Sequence, residues 1–138
     1  MQFDSAVGHQ IIWKVYMSIT DMQHMFALSL AKLEASRKGF TILEPRGYVE
    51  YDFAVELPDG RLSRIKVLQA PLINDKYLGV DYTSPNGPIC NLIDWLVLCD
   101  VENQKLYYMH TSEFSDKFTD LDMVIQASTH EEWDLSVR

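Results

Sequence analysis

The sequence predicts an α/β fold: one helix followed by a mixed central sheet that contains a β-hairpin. Three observations carry this. Met22, Met25, Phe26, Leu30 and Leu33 recur at helical spacing. The period then drops toward two, and the runs Tyr51 to Leu57 and Leu62 to Gln69 flank the turn Pro58-Asp59-Gly60-Arg61. Finally, Leu92-Ile93-Asp94-Trp95-Leu96-Val97-Leu98-Cys99 is apolar almost throughout, as expected of a strand buried on both faces.

Taken in order, the helix is expected over about 21–38. Thr20 and Gln23 have capping-box spacing, Asp21 suits the positive helix end, and Gly39 follows Arg37 and Lys38 as a C-terminal cap. Upstream, Ile11 to Met17 reads as a buried strand, a preceding helical turn or a dimer contact. Phe40 to Leu43 is a short strand stopped by Pro45 and Gly47, and the hairpin follows. Tyr77 to Thr83 is a further strand, and Ser84 to Pro88 a loop. Lys105 to His110 pairs beside the buried strand, and Thr111 to Phe114 starts a helix. Beyond Phe118 the chain reads as an acidic extension with scattered apolar residues. No repeat or linker divides the chain, so one domain over 1–138 is expected, its core at about 20–115.

Composition narrows the function classes. The chain carries a net charge of −8; residues 1–99 contribute −2 and residues 100–138 contribute −6. Phosphate neutralisation supplies most nucleic-acid affinity, so this balance counts against tight non-specific DNA binding by a monomer. No apolar run is long enough to span a bilayer, and the first residues lack a signal-peptide pattern, so a cytoplasmic protein with no membrane partner is expected. Cys90 and Cys99 sit in apolar surroundings without metal-ligand spacing and are expected to be reduced thiols. His9, His24, His110 and His130 are dispersed, without metal-ligand spacing.

Several segments resemble the PD-(D/E)XK nucleases: Lys38-Gly39-Phe40-Thr41-Ile42-Leu43-Glu44-Pro45, Tyr51-Asp52-Phe53-Ala54-Val55-Glu56, Gly60-Arg61-Leu62-Ser63-Arg64-Ile65-Lys66-Val67, Ile93 to Leu98 and Leu106 to Met109. The similarity covers about residues 20–115. It is to the small cyanobacterial and phage group that includes tetrameric homing endonucleases of group I introns. The resemblance implies a restriction-endonuclease-like core and a homo-oligomer. It also implies a site in which a helix acid, a strand Asp and a Glu or Gln gather Mg²⁺, with a Lys two residues after the Glu or Gln to position water. A divalent ion requires such hard oxygen ligands and lowers the pKa of bound water.

Mapped onto this chain, Asp52 fills the strand position, but Lys66 stands at the Glu/Gln position and Leu68 at the Lys position. The helix acid falls near Ala27, where Gln23 and His24 are the nearest polar residues. A Lys at a ligand position is worse than a missing ligand: at about 4 Å and an effective dielectric near 20, it repels a divalent ion by about 8 kcal/mol. Lys66 is therefore expected to pair with Asp52 where the metal would stand. Glu56, four residues beyond Asp52, and Asp81 are the candidates for a second carboxylate in a rearranged site. Arg46, Arg61 and Arg64 are candidate phosphate contacts, or alternatively the protective charges of a hairpin edge.

Two functions follow. The first is a protein with an eroded metal site and no cofactor, inactive in catalysis, that binds a protein partner, for example as an inhibitor of a nucleic-acid enzyme. The alternative is a Mg²⁺-dependent DNA endonuclease, homing-endonuclease-like or junction-resolvase-like, using Asp52, Lys66 and Glu56, with Asp52 and Glu56 as ligands. The binding protein should show an exposed acidic or apolar patch; the enzyme needs a second carboxylate beside Asp52.

Overall fold

A computed structural model describes residues 18–114 and 116–135. The expectation for residues 11–17 lies outside the described residues. The chain begins with one helix, α1 (Ile19–Arg37), and continues through β1 (Thr41–Leu43), β2 (Phe53–Glu56), β3 (Leu62–Gln69), β4 (Leu72–Ile73), β5 (Tyr77–Thr83), β6 (Trp95–Asp100), β7 (Lys105–His110) and β8 (Asp120–Gln126). A five-stranded mixed sheet has the order β1-β2-β3-β6-β7, and a three-stranded sheet the order β4-β5-β8. The only parallel pairing among the described residues is β3 with β6, which places Lys66 beside Leu96. No helix among the described residues is long and apolar enough to cross a membrane.

Period-two alternation divides the five-stranded sheet into two buried faces. One face carries Phe53, Val55, Ile65, Val67, Trp95, Val97 and Tyr108, and packs against Ala27, Ala31 and Ala35 of α1 together with Trp133 and Leu135. The other carries Leu96, Leu98, Tyr107 and Met109, and packs against Leu78, Val80, Leu121 and Ile125 of the smaller sheet. Being covered twice is why β6 is buried at every residue.

The structure corrects four expectations. The helix starts at Ile19, and its cap is Ser18, whose hydroxyl accepts the Asp21 N–H at 3.1 Å, so Thr20 lies inside the helix and not at its cap. Its buried stripe is Ala27, Ala31 and Ala35, all fully buried, while Met22, Met25, Phe26 and Leu33 are exposed. Methyl side chains let the helix axis approach the sheet closely, and the larger residues are left on the outside. At Thr111–Glu113 the chain makes only a single 3-10 turn. The segment after Phe118 is no extension: β8 pairs with β5 over seven residues, and Trp133 stacks on Tyr108 with ring centroids 4.8 Å apart. Its acidic residues Asp120 and Asp122 are exposed while Leu121 and Ile125 are buried, so the core runs to Leu135.

Both cysteines are free thiols, Cys99 buried and Cys90 half-buried. Burial, followed by the charge of Asp100, pushes the Cys99 thiol up to about 11.

Candidate functional site

Strand β2 ends its pairing with β3 one residue short of Asp52: Phe53 lies opposite Ile65, and the Asp52 N–H donates to the Ile65 carbonyl at 2.7 Å. Beyond that point no β2 backbone group pairs with β3, which would leave the next inward amide, that of Val67, without an acceptor. The Asp52 side chain fills the gap: Val67 N–H donates to Asp52 Oδ2 at 2.7 Å. Val67 is fully buried, so this bond satisfies a donor with no access to water.

The other carboxylate oxygen faces Lys66. Nζ lies 3.5 Å from Asp52 Oδ1, and the two side chains are 21% and 16% exposed. Nζ also lies 5.7 Å from the Tyr82 ring centroid, within cation–π range. The Tyr82 hydroxyl donates to Glu50 Oε2, and Asn86 Nδ2 donates to Glu50 Oε1 at 2.6 Å. Burial first, then the Glu50 bond and the charges of Glu50 and Asp52, hold the Tyr82 phenol well above its ordinary range. Asp52, Lys66, Tyr82, Glu50 and Asn86 thus form one polar chain between the larger sheet and β5. One oxygen of the Asp52 carboxylate is held by a backbone amide and the other faces an ammonium. Among the described residues no group of three or more His, Cys, Asp or Glu could hold a metal ion.

The remaining sequence candidates lie elsewhere. Glu56 sits at the far end of β2, opposite Leu62 and Thr41 and exposed, about 13 Å from Asp52 at the usual strand rise. Ala27 packs on the opposite face of the sheet from the Lys66–Tyr82 contact, so it is not where a helix acid could join Asp52. Asp81 lies on β5 directly across from Asp122. Arg64 is held by Asp94, with Nε 3.0 Å from Oδ2 and Nη2 3.1 Å from Oδ1, and its Nη1 donates to the Asn91 carbonyl at 2.7 Å. Arg61 pairs with Asp59 at 2.6 Å across the hairpin turn. Arg46 is exposed in the loop before Asp52. Two of the three arginines, Arg61 and Arg64, have their charge matched by a neighbouring carboxylate.

Glu50 and Tyr82 were not singled out by sequence reasoning. Glu50 precedes Asp52 by two residues, but residues 50–52 form a bend, so strand periodicity gives no signal there. Tyr82 arrives from the second sheet, and nothing local ties it to Asp52.

These elements define an α/β fold, a helix followed by a mixed sheet. It is similar to the structure of a bacterial homing endonuclease, I-Ssp6803I, with a TM-score of 0.61 and 21% sequence identity over 88% of this chain and 82% of that one. At that identity the likeness carries the fold alone. No family model and no curated protein matches the sequence.

Proposed function

We propose that this chain is a nuclease-fold protein that cleaves no phosphodiester and acts by binding a protein partner. The observation that carries the reading is the Asp52–Lys66 pair. The carboxylate best placed to hold Mg²⁺ is shared between a buried backbone amide 2.7 Å away and an ammonium 3.5 Å away. A divalent ion there would have to displace both and overcome repulsion from the ammonium.

The surface supports the same reading. Arg61 and Arg64 are matched by acidic neighbours, which removes two of the three expected phosphate contacts. On β5 and β8, Asp81 faces Asp122 in register, and Asp120 follows beside Thr83; all three acids are exposed. Like charges directly opposite each other in a sheet are destabilising, so such a strip costs stability and suits a basic partner surface, such as the phosphate-binding cleft of a nucleic-acid enzyme.

The test is a cleavage assay on duplex, single-stranded and branched DNA with Mg²⁺ and Mn²⁺, with Asp52→Asn as the control that keeps an acceptor for Val67. The reading requires no cleavage of any substrate. Divalent-dependent cleavage that disappears in Asp52→Asn would establish the endonuclease alternative, with Glu50, bonded to Tyr82, as a candidate second carboxylate.

A further inference from the structure

Strand β8 forms the open side of the smaller sheet, whose order is β4-β5-β8. In an antiparallel pair the N–H and C=O of alternate residues point to the neighbour, and those of the residues between point away. At the two ends of the β5–β8 ladder, Ser84 N–H donates to the Thr119 carbonyl at 2.8 Å and Ala127 N–H to the Lys76 carbonyl at 2.9 Å. These bonds set the phase: Leu121, Met123 and Ile125 turn their backbone groups toward β5. Asp120, Asp122 and Val124 turn theirs outward, where no backbone partner meets them among the described residues. The edge is closed only at its ends, where Ile89 N–H donates to the Phe118 carbonyl at 2.9 Å and Thr129 Oγ1 to the Gln126 carbonyl at 3.0 Å. The larger sheet offers no comparable edge: β1 has three residues, and on β7 the Tyr108 N–H donates to the His130 carbonyl at 2.8 Å.

We infer that this edge accepts an extended basic segment of the partner protein as a fourth strand of the smaller sheet. The inference rests on the reading of the chain as a partner-binding protein and names the mode of contact. In such strand addition the backbone supplies the pairing and the side chains select what pairs. The side chains of Asp120, Asp122 and Val124 are exposed on one face of the sheet, while Leu121 and Ile125 are buried on the other. An added strand sets every second side chain about 5 Å from its neighbours on β8. Lys or Arg opposite the two aspartates and an apolar residue opposite Val124 complete the edge. Asp81, across from Asp122 on β5, puts a further carboxylate within reach of a long basic side chain. An unpaired edge invites indiscriminate pairing, and exposed charge is the usual guard. Here the guard is selective. Two copies of a chain of net charge −8 meeting along this edge would bring acidic strips together, whereas a basic segment is drawn in.

The test uses the full chain and a short acetylated, amidated peptide in which lysine alternates with threonine and valine. A twin of the same sequence, methylated on its backbone nitrogens, keeps the charge and cannot donate to an edge. In fluorescence anisotropy at low salt, the plain peptide should bind about tenfold or more tightly than its methylated twin. Asp120→Asn and Asp122→Asn together should weaken the plain peptide about threefold to tenfold, with an unchanged circular dichroism spectrum. Amide hydrogen exchange reads the edge directly. On saturation the Asp120, Asp122 and Val124 amides should slow, whereas those of Leu121, Met123 and Ile125 are slow throughout. Equal binding of the two peptides would overturn strand addition and leave the acids acting through charge alone, so that the basic-partner reading survives. Binding of neither peptide would overturn the inference. Outward amides that exchange as slowly as the inward ones in the free chain would show the edge already covered, and would overturn it as well. Divalent-dependent DNA cleavage would overturn the partner-binding reading itself, an outcome separate from all of these.

Discussion

Lys66 holds its ammonium 3.5 Å from Asp52 Oδ1, on the side of the carboxylate that the Val67 amide leaves open. The pair sits where a strand ends early, so Asp52 completes a backbone hydrogen-bond pattern as well as neutralising a lysine. Both tasks require a carboxylate oxygen and neither requires a metal.

The first consequence concerns stability. Asp52→Ala leaves the buried Val67 amide unsatisfied and Lys66 without its partner, and should cost about 2–4 kcal/mol in urea denaturation. Asp52→Asn keeps an acceptor for Val67 and should cost clearly less. Equal losses for the two variants would show that the amide bond contributes little.

Exchanging the charge tests the same pair from the other side. Lys66→Glu places two carboxylates together and should destabilise the metal-free protein through like-charge repulsion. Millimolar Mn²⁺ or Ca²⁺ should recover part of that loss, seen as a rise in melting temperature that the native protein does not show. No difference between native and variant in that rise would mean that Lys66 is not what keeps cations out.

The alanine stripe of α1 makes a prediction about packing. Ala31 is fully buried against the sheet, with no room for added methylenes. Ala31→Leu should destabilise by about 1–3 kcal/mol by forcing the helix outward. Leu33→Ala, at a residue 46% exposed on the outer side of the helix, should change stability very little.

How much of this was legible in the sequence depends on how local each signal is. The hairpin, β5 and β7 are readable because their turns and alternation lie within a few residues of each other. The helix was found, but its buried face was misassigned: large apolar side chains attract attention, and an Ala27-Ala31-Ala35 stripe does not. Strand β8 was passed over because Asp120 and Asp122 made it look like a solvated tail, although Leu121, Met123 and Ile125 alternate correctly. The pairing of Lys66 with Asp52 was legible through the motif resemblance, which sets both residues at the position where a metal would stand. The Tyr82–Glu50 bond was not, since it joins different sheets.

The reassigned C-terminal segment is itself testable. Truncation after Phe118 removes β8 and the Trp133–Tyr108 stack, and should abolish cooperative unfolding. Trp133→Ala alone, at a residue 3% exposed, should cost about 3–5 kcal/mol.

His110 gives the pH dependence. Its Nδ1 accepts the Ser112 N–H at 3.1 Å, which requires the unprotonated nitrogen. Burial lowers its pKa, against the opposing charges of Asp94 and Glu113. The folded protein therefore binds this proton less readily than the unfolded chain. The stability associated with neutral His110 is complete above the unfolded value of about 6.5 and is lost as pH falls below it. Chemical denaturation between pH 7.5 and 5 should show a decline that is shallower in His110→Asn, which retains a capping acceptor without titrating there, by at most about 1.4 kcal/mol per pH unit. Parallel curves for the two proteins would remove His110 from the account.

The most direct measurement is Mn²⁺ binding at equilibrium, by calorimetry or by the loss of free-ion paramagnetic resonance signal, on the native protein and on Asp52→Asn. With Lys66 and the Val67 amide both occupying the Asp52 carboxylate, no saturable binding should occur below millimolar metal, and the two proteins should behave alike. Micromolar binding by the native protein that vanishes in Asp52→Asn would mean that Lys66 yields its place to a cation and that the metal site survives.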